Sequence, residues 1–327
     1  MEAEGAFRFT VEPGAAGRRL DSFLADRLPE CSRSYAAELI ETGRVEVGGR
    51  PRKPSYRLKA GESVAGTLPP PRPAAVQPEP IPLEILYEDE GLLVLCKPPG
   101  MVVHPAPGHD SGTLVHALLH HCPALGALAG ELRPGIVHRL DKETSGALVA
   151  AKDARSLERL AAQFQRRSVE KRYLALVHGV PSATEGVIRL PIGRDPVDRK
   201  KMSVRSRKPR PAETAWDIRR SWGGEASLLE LRLVTGRTHQ IRVHLSAVGH
   251  PVVGDPVYGR RRAARASAGP LGAILASAPR QMLHAFRIAF DHPATGKRLA
   301  FECPLPSDMA GLIAGLEAAA SAAPPIR

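Results

Sequence analysis

Cysteine, aromatic residues and long apolar runs are all scarce in this chain of 327 residues. Its four cysteines are scattered without a Cys-x-x-Cys pair, which argues against a structural zinc site and a disulfide scaffold and suits a reducing cytoplasm. Aromatic residues make up only 4%, so the core must rest on aliphatic side chains. No run approaches the roughly 18 apolar residues of a membrane span, and no secretory signal opens the chain. We expect a cytoplasmic protein without membrane association.

Positive charge is plentiful instead. Lys and Arg number 46 against 34 acidic residues, giving a formal charge of +12 and a pI near 10.0. This balance points to a polyanionic partner rather than to a particular fold. Nine basic residues against two acidic ones fall between Arg189 and Arg210, which predicts a basic loop or hairpin arm suited to phosphates.

A proline-rich stretch divides the chain. Residues 66–82 contain seven prolines and predict a stiff, extended spacer. We therefore expect a small module at 1–68, a linker at 69–82, a larger domain at 83–309 and an Ala-rich tail at 310–327 that forms one short, fraying helix. Residues 260–280 read as a surface loop.

The small module shows two helical patterns followed by strands. The first helix places Leu20, Phe23, Leu24 and Leu28 on one face, and the second opens at Ser32 as N-cap. Val45 and Val47 then alternate as in a strand, before a Gly-Gly turn at 48–49.

This module resembles the S4 RNA-binding domain. The similarity rests on Arg-Leu-Asp at 19–21, Ser-Arg-Ser at 32–34 and Gly-Arg-Val-Glu-Val at 43–47. The resemblance implies docking on structured RNA, with Arg19, Arg33 and Arg44 among the contacts. Without it, the arginines could equally be solvated surface residues.

The larger domain is rich in strands. Strand patterns occur at LEILYEDEGLLVLC, on both sides of the loop in GIVHRLDKETSGALVAAK, and at KRYLALVHG, ASLLELRLV and HAFRIAF. Helices are predicted at Thr113–His121 and around Leu157, Leu160, Ala161 and Phe164. We predict an α+β fold: a mixed, mainly antiparallel sheet with flanking helices.

Two polar clusters suggest chemistry. His138, Arg139, Asp141 and Thr144 lie in a loop between apolar runs, where a sheet could hold a catalytic acid, although Asp141 could also merely cap a charged turn. The second cluster is TGRTHQIRVH at 235–244, which contains Arg237 and His239.

Thr238 suits the N-cap of a helix that continues through Ile241, Leu245 and Val248. Arg242 then lies in the first turns, where the helix dipole disfavours a cation. An anionic partner, either Asp141 or an RNA phosphate, would explain it, unless it is an ordinary surface residue. Tyr173 lies in a predicted strand, and its ring could simply be part of the core.

Residues 81–304 resemble the RluA-type pseudouridine synthases. The similarity rests on HRLDKETSG at 138–146, KRYLALVHG at 171–179 and TGRTHQIRVHLSAVGHPVVGD at 235–255, with further agreement at VVHP and RQMLHA; Cys96 departs from the usual Asn. The resemblance implies that Asp141 is the nucleophile that converts uridine to pseudouridine and that Arg242 pairs with it. It also implies that Tyr173 stacks on the base and helps to remove the C5 proton. The further residues implied at the substrate are Arg139, which would fill the gap left by a flipped nucleotide, His138, Thr144, Arg237, His239 and Leu283.

The domain order matches members that act on large-subunit ribosomal RNA, with tRNA as the alternative substrate. No metal or cofactor is expected. A metal-dependent hydrolase is a weak rival, because His116 and His120 are spaced i, i+4 but no HExxH motif is present. A non-catalytic RNA-binding protein is the other alternative.

Overall fold

The computed structural model describes residues 6–28, 31, 33–68, 76–106, 108–128, 134–198, 201–259 and 269–322. The chain separates into two compact units, Met1–Ala75 and Val76–Arg327. The predicted N-cap Ser32 and residues 69–75 of the predicted linker lie outside the described residues. Across the described residues, no helix combines the length and apolar content required to cross a bilayer.

The N-terminal unit packs two helices on a small antiparallel sheet. Leu20, Phe23, Leu24 and Leu28 are buried in its core, as predicted. Gly48 and Gly49 both have positive φ (60° and 71°), which only a residue without Cβ adopts readily, so a two-residue hairpin links two strands. The sheet order is β1-β4-β2-β3. The elements are β1 (Ala6–Thr10), α1 (Leu20–Arg27), α2 (Arg33–Glu41), β2 (Val45–Val47), β3 (Arg50–Pro51) and β4 (Ser63–Thr67).

The described residues of the C-terminal unit build a nine-stranded sheet of order β5-β6-β7-β14-β8-β13-β12-β9, with β15 beside β14. Neighbouring strands are antiparallel except β7 and β14. This confirms the predicted mixed, mainly antiparallel sheet. Its strands are β5 (Glu84–Glu88), β6 (Leu92–Lys97), β7 (Ser145–Ala151), β8 (Glu170–His178), β9 (Glu185–Ile188), β12 (Thr214–Trp222), β13 (Ala226–Leu233), β14 (Leu283–Asp291) and β15 (Arg298–Glu302). The basic segment forms a separate hairpin of β10 (Gly193–Arg194) and β11 (Met202–Ser203), as predicted.

Helices cover the large sheet. Leu93 and Leu95 of β6 pack with α3 and α5, whereas Leu92 and Val94, which alternate with them, pack with α4. The helices are α3 (Leu114–His121), α4 (Ala154–Arg166), α5 (Gln240–Ala247), α6 (Pro270–Ala276) and α7 (Ser307–Ala322). In α4, Leu160 is buried but Ala161 is exposed, and Val248 lies exposed just beyond α5.

Gly146 allows β7 and β14 to approach closely. Its φ is 118°, and a Cβ at this position would lie 2.2 Å from the carbonyl oxygen of Ala285. Only glycine fits, because any side chain would collide with the backbone of β14. The parallel pairing therefore fixes the strand that follows Asp141 against the start of β14.

Two expectations from the sequence were wrong. The strand predicted before the 138–144 loop is reduced to one bridge between Ile136 and Ala150. The predicted loop at 260–280 contains α6, whose Leu275 is buried. The helix predicted in the Ala-rich tail is confirmed: within the described residues the tail forms most of α7, whose buried side chains pack with α6 and the sheet.

The cysteines also depart from expectation. Cys96, at the end of β6, and Cys303, just after β15, form a disulfide across 207 positions of sequence. The scattered spacing gave no sign of this pairing. The other two cysteines, buried Cys31 and half-buried Cys122, are outside this disulfide.

We predict that Leu316→Ala lowers the free energy of unfolding by about 2–5 kcal/mol, because this side chain of α7 is fully buried and its loss leaves a cavity. Chemical denaturation measures the change. Ala314→Ser, on the exposed face of the same helix, serves as the control and should stay within about 0.5 kcal/mol. Equal stability of Leu316→Ala and the native chain would show that the tail is dispensable.

Candidate active site

A cavity of about 420 Å3 lies in the C-terminal unit, bounded by the 138–144 loop, the end of α4, strand β8 and the start of α5. Its volume is in the range that takes a small organic ligand. Every residue of this unit that the sequence singled out as a site residue lines it. These are His138, Arg139, Asp141, Thr144, Tyr173, Arg237, His239, Arg242 and Leu283.

The carboxylate of Asp141 faces the cavity and is paired with Arg242. Its side chain is 18% exposed, and Arg242 donates from Nη1 to Oδ2 over 3.0 Å. His239 Nε2 lies 3.9 Å from the same oxygen. Within the described part of the chain, Oδ1 accepts no hydrogen bond, so Arg242 engages only one of the two carboxylate oxygens. The anionic partner predicted for Arg242 is thus confirmed.

Asp255 is a second partner of Arg242 that sequence reasoning missed. Arg242 donates from Nε to Oδ2 over 2.7 Å and from Nη2 to Oδ1 over 3.0 Å, a bidentate geometry. The side chain of Asp255 is fully buried and also accepts the backbone N–H groups of Val257 and Tyr258. Asp255 closes the motif at 235–255, which was the only available signal. Arg242 therefore bridges two carboxylates.

The start of α5 differs from the predicted capping. Thr238 was expected at the N-cap, but His239 occupies that position with a φ of 55°, and Gln240 is the first helical residue. The carbonyl oxygen of the Gln240 side chain accepts hydrogen bonds from the Thr235 hydroxyl and the Arg237 N–H. His239 Nδ1 lies 2.9 Å from the Tyr258 hydroxyl, and burial lowers the pKa of His239. The turn thereby presents His239 to Asp141.

Lys97 holds one side of the loop that bears Asp141. Its ammonium is almost completely buried and donates to the carbonyl oxygens of Pro98 (2.7 Å), Met101 (2.9 Å) and Lys142 (3.1 Å). Burial lowers the pKa of Lys97 to about 7. Three acceptors match the three donors of an ammonium group, so this lysine ties the residue after Asp141 to the end of β6.

Arg280 and Gln281 hold the other side of the loop. Arg280 Nη1 donates to the carbonyl oxygen of Glu143 over 2.8 Å, while its Nε pairs with Asp308 on α7 over 2.7 Å. Gln281 donates to the hydroxyl of Thr144, again over 2.8 Å. Three consecutive residues after Asp141 are thus bonded to groups from two distant segments, the end of β6 and residues 280–281. This leaves the loop little freedom to move the carboxylate.

Half-buried His138 and buried Tyr173 lie beside the cavity. The His138 ring stacks on Phe164 at 4.6 Å, and its Nε2 accepts the N–H of Val149. Burial lowers the pKa of His138 to about 3, so the ring is neutral at physiological pH. Burial, followed by the charge of Asp141, raises the pKa of Tyr173, so its phenol is protonated.

The remaining arginines differ in their surroundings. Arg139 is exposed at the cavity, and Arg237 donates from Nε to the carbonyl oxygen of Pro211 over 3.2 Å. In the N-terminal unit, Arg19 and Arg33 both contact the buried carboxylate of Asp21, at 2.6 and 3.3 Å, while Arg44 is exposed.

The histidines that suggested a metal site point elsewhere. His116 is buried, with Nδ1 2.6 Å from the Thr113 hydroxyl and Nε2 3.6 Å from Glu79, whereas His120 is exposed. No group of three possible metal ligands occurs among the residues that the structure describes.

Comparison with known proteins places this arrangement in a family. Residues 91–247 match the family model described as RNA pseudouridylate synthase, and residues 18–64 match the S4 domain. An uncharacterized RNA pseudouridine synthase of Aquifex aeolicus is 43% identical over 97% of this chain and 99% of its own length. The chain belongs to the RNA pseudouridine synthases. The resemblances to this family and to the S4 domain are thereby confirmed.

Other relatives of this pseudouridine synthase agree. The protein named ribosomal large subunit pseudouridine synthase D in Zymomonas mobilis is 45% identical over 92% of this chain and 94% of its own length. Among solved structures, human RNA pseudouridylate synthase domain containing 4 is 28% identical, with a TM-score of 0.54, covering 72% of this chain and 93% of that one. The chain is accordingly an enzyme that forms pseudouridine in RNA.

We predict that Asp255→Asn lowers kcat at least about tenfold, with a smaller effect on KM, because Arg242 loses the ionic partner that orients it towards Asp141. Removing one member of a buried ion pair should also lower the free energy of unfolding by about 3–5 kcal/mol. Asp217→Asn, in an exposed ion pair with Arg219, is the matched control. Full activity in a destabilised Asp255→Asn enzyme would limit Asp255 to a structural role.

The lowered pKa of Lys97 predicts that the free energy of unfolding depends on pH. Its pKa is about 7 when folded against an ordinary value of 10.5, so the unfolded chain binds more protons between these values. The free energy of unfolding from this site should therefore rise with pH, by at most about 1.4 kcal/mol per unit. Lys97→Met should lack this component. Denaturant unfolding of both proteins between about pH 7 and 9 measures it, and parallel curves would contradict the prediction.

Proposed function

We propose that the enzyme isomerises specific uridines of large-subunit ribosomal RNA, with Asp141 as the nucleophile. The observation that carries this proposal is the carboxylate of Asp141 at the cavity, held by Arg242 through Oδ2 while Oδ1 accepts no hydrogen bond from the described residues. A nucleophilic carboxylate needs its negative charge, and the guanidinium of Arg242 lies 3.0 Å from Oδ2 as its counter-ion.

The reaction then follows from the balance of atoms. Asp141 attacks either C6 of the uracil or C1′ of the ribose, and the glycosidic N1–C1′ bond breaks. The uracil turns in the cavity, and its C5 bonds to C1′. The bond to Asp141 breaks in this same step if the carboxylate attacked C1′, or by later elimination if it attacked C6, so the free carboxylate is regenerated. The C5 proton is lost and N1 gains one, so no oxidant, reductant or water is consumed. A cavity that is closed on several sides keeps the detached base next to the ribose.

Tyr173 and Arg139 have different parts in this proposal. Tyr173 is buried in the wall next to Asp141, where its ring can stack on the uracil and Leu283 can pack beside it. The phenolate that would remove the C5 proton is disfavoured, since burial raises the pKa of Tyr173. Arg139 is exposed next to Asp141 and is suited to fill the gap left by the flipped nucleotide.

Other polar groups complete the proposed substrate site. Arg237 and His239 line the cavity from the turn before α5 and can contact the ribose or phosphates, while His138 and Thr144 line it from the loop that bears Asp141. In the N-terminal unit, Arg19, Arg33 and Arg44 are the proposed contacts to structured RNA. A cytoplasmic location also stays part of the proposal.

The choice of ribosomal RNA rests on relatives and domain order. Proteins of Zymomonas mobilis and Neisseria meningitidis at 42–45% identity carry the name ribosomal large subunit pseudouridine synthase D. Each is covered over more than four fifths of its own length, so the likeness includes both the S4 domain and the catalytic unit.

To test this, the chain is expressed in a host lacking its own large-subunit synthases, and pseudouridine is mapped by carbodiimide treatment and primer extension. We predict new stops in large-subunit rRNA with the native enzyme and none with Asp141→Asn, which keeps the shape of the side chain but removes its charge. Asp110→Asn, an exposed carboxylate outside the cavity, is the matched control and should retain all stops.

The other outcomes discriminate between alternatives. Stops confined to tRNA would keep the chemistry and overturn the substrate. Undiminished stops with Asp141→Asn would exclude Asp141 as the nucleophile. RNA binding without any modification would favour a non-catalytic binding protein.

A further inference from the structure

We propose that Lys171 and Arg167 form a phosphate-binding subsite at the end of the cavity next to α4, which holds a backbone phosphate flanking the target uridine. This inference rests on the proposed function, because it takes the occupant of the cavity to be a uridine within an RNA strand. Lys171 opens the motif at 171–179, but the sequence analysis assigned no role to it or to Arg167.

Lys171 is a cation that faces the cavity without a carboxylate. It lies two positions before Tyr173 in β8, so both side chains lie on the same face of the strand, roughly 7 Å apart along it. Its Nζ lies 5.7 Å from the centre of the Phe164 ring. Among the residues that the structure describes, no Asp or Glu lies within ion-pair distance of it.

The next residue of the strand shows the contrast. Arg172 points to the opposite face of the sheet, where it pairs with Glu170 at 2.6 Å and with Glu230 at 2.9 Å. Arg172 is thus neutralised by carboxylates of the fold. Lys171, on the face of the strand that lines the cavity, has no such partner among the described residues. Because a half-buried charge without a partner is unfavourable, an anionic ligand is the simplest complement to Lys171.

Arg167 brings a second positive charge to the same end. It ends α4 in the left-handed conformation, with a φ of 61°, and its exposed side chain lines the cavity. Burial and then the nearby Arg167 lower the pKa of Lys171, so the two like charges lie close together. His138, between the loop and Phe164, is neutral and does not compete for the ligand. Two cations that repel each other in the free protein are both stabilised by one anion.

Phosphate is the anion that an RNA strand supplies. The uracil is proposed to lie against Tyr173, so a group one strand step further out meets the sugar-phosphate backbone rather than the base. The phosphate on the 5′ side and that on the 3′ side of the target share this chemistry. Contacts of this kind position a strand and do not read its sequence.

The test measures RNA binding and turnover with an oligonucleotide that contains the mapped target. We predict that Lys171→Met weakens binding about three- to tenfold, raises KM with kcat nearly unchanged, and reduces the slope of log K against log salt by about 0.7. Lys171→Arg keeps the charge and should restore most of the affinity. Arg166→Gln removes a neighbouring exposed charge that does not line the cavity and is the matched control.

Two modified oligonucleotides identify which phosphate the subsite binds. A neutral methylphosphonate linkage, with the adjoining sugar as 2′-deoxy, replaces the 5′ or the 3′ phosphate of the target. Neutralising the correct linkage should weaken the native enzyme as much as Lys171→Met does and should cost the Lys171→Met enzyme nothing more. Arg167→Asn, which tolerates the left-handed conformation, gives an independent surface variant if Lys171→Met folds poorly.

Native affinity that is insensitive to both neutral linkages would overturn the proposal, as would equal losses in the native and variant enzymes. Conversion of the target by the native enzyme is followed in the same samples. Coupling between Lys171 and a linkage without conversion would leave the phosphate subsite standing and refute the proposed function, so the two failures are distinguishable.

Discussion

Arg242 is the group on which the site depends, because it is shared between the open carboxylate of Asp141 and the buried carboxylate of Asp255. The bidentate contact to Asp255 uses Nε and Nη2, which fixes the plane of the guanidinium and leaves Nη1 for Asp141. A single carboxylate partner would let the arginine rotate. Asp255 in turn is held by two backbone N–H groups, so the orientation comes from the fold rather than from the substrate.

The backbone around Asp141 is also held in place by groups of the fold. A loop is flexible unless its polar groups are bonded, and here carbonyl oxygens of two consecutive residues accept from the buried cations Lys97 and Arg280. Arg280 is itself paired with Asp308 on α7. The C-terminal helix is therefore connected through two contacts to the loop that bears Asp141, the proposed nucleophile. The active site is assembled from segments nearly the whole length of the catalytic unit apart.

The sequence indicated the elements whose signal is local. The polar loop at 138–146, the strand that bears Tyr173 and the need of Arg242 for an anion follow from neighbouring residues. Asp255 could not be assigned, since nothing local pairs it with Arg242, and the Cys96–Cys303 disulfide spans 207 positions. Strand β12 (Thr214–Trp222) was missed because its middle carries charged residues that pair across the surface. Nothing in the Ala-rich sequence of α7 indicated that this helix packs on α6 and the sheet.

The electrostatics of the site set a further requirement. Asp141, Asp255 and Arg242 together carry two negative charges and one positive charge, so this cluster alone would repel an RNA phosphate. A nucleophilic carboxylate and a polyanionic substrate are compatible only if other cations lie where the backbone enters. Arg139, Arg237 and Lys171 line the same cavity, and none of them has a carboxylate partner within the described residues. Under the proposed function, these three cations offset the negative charge around Asp141 without pairing directly with its carboxylate.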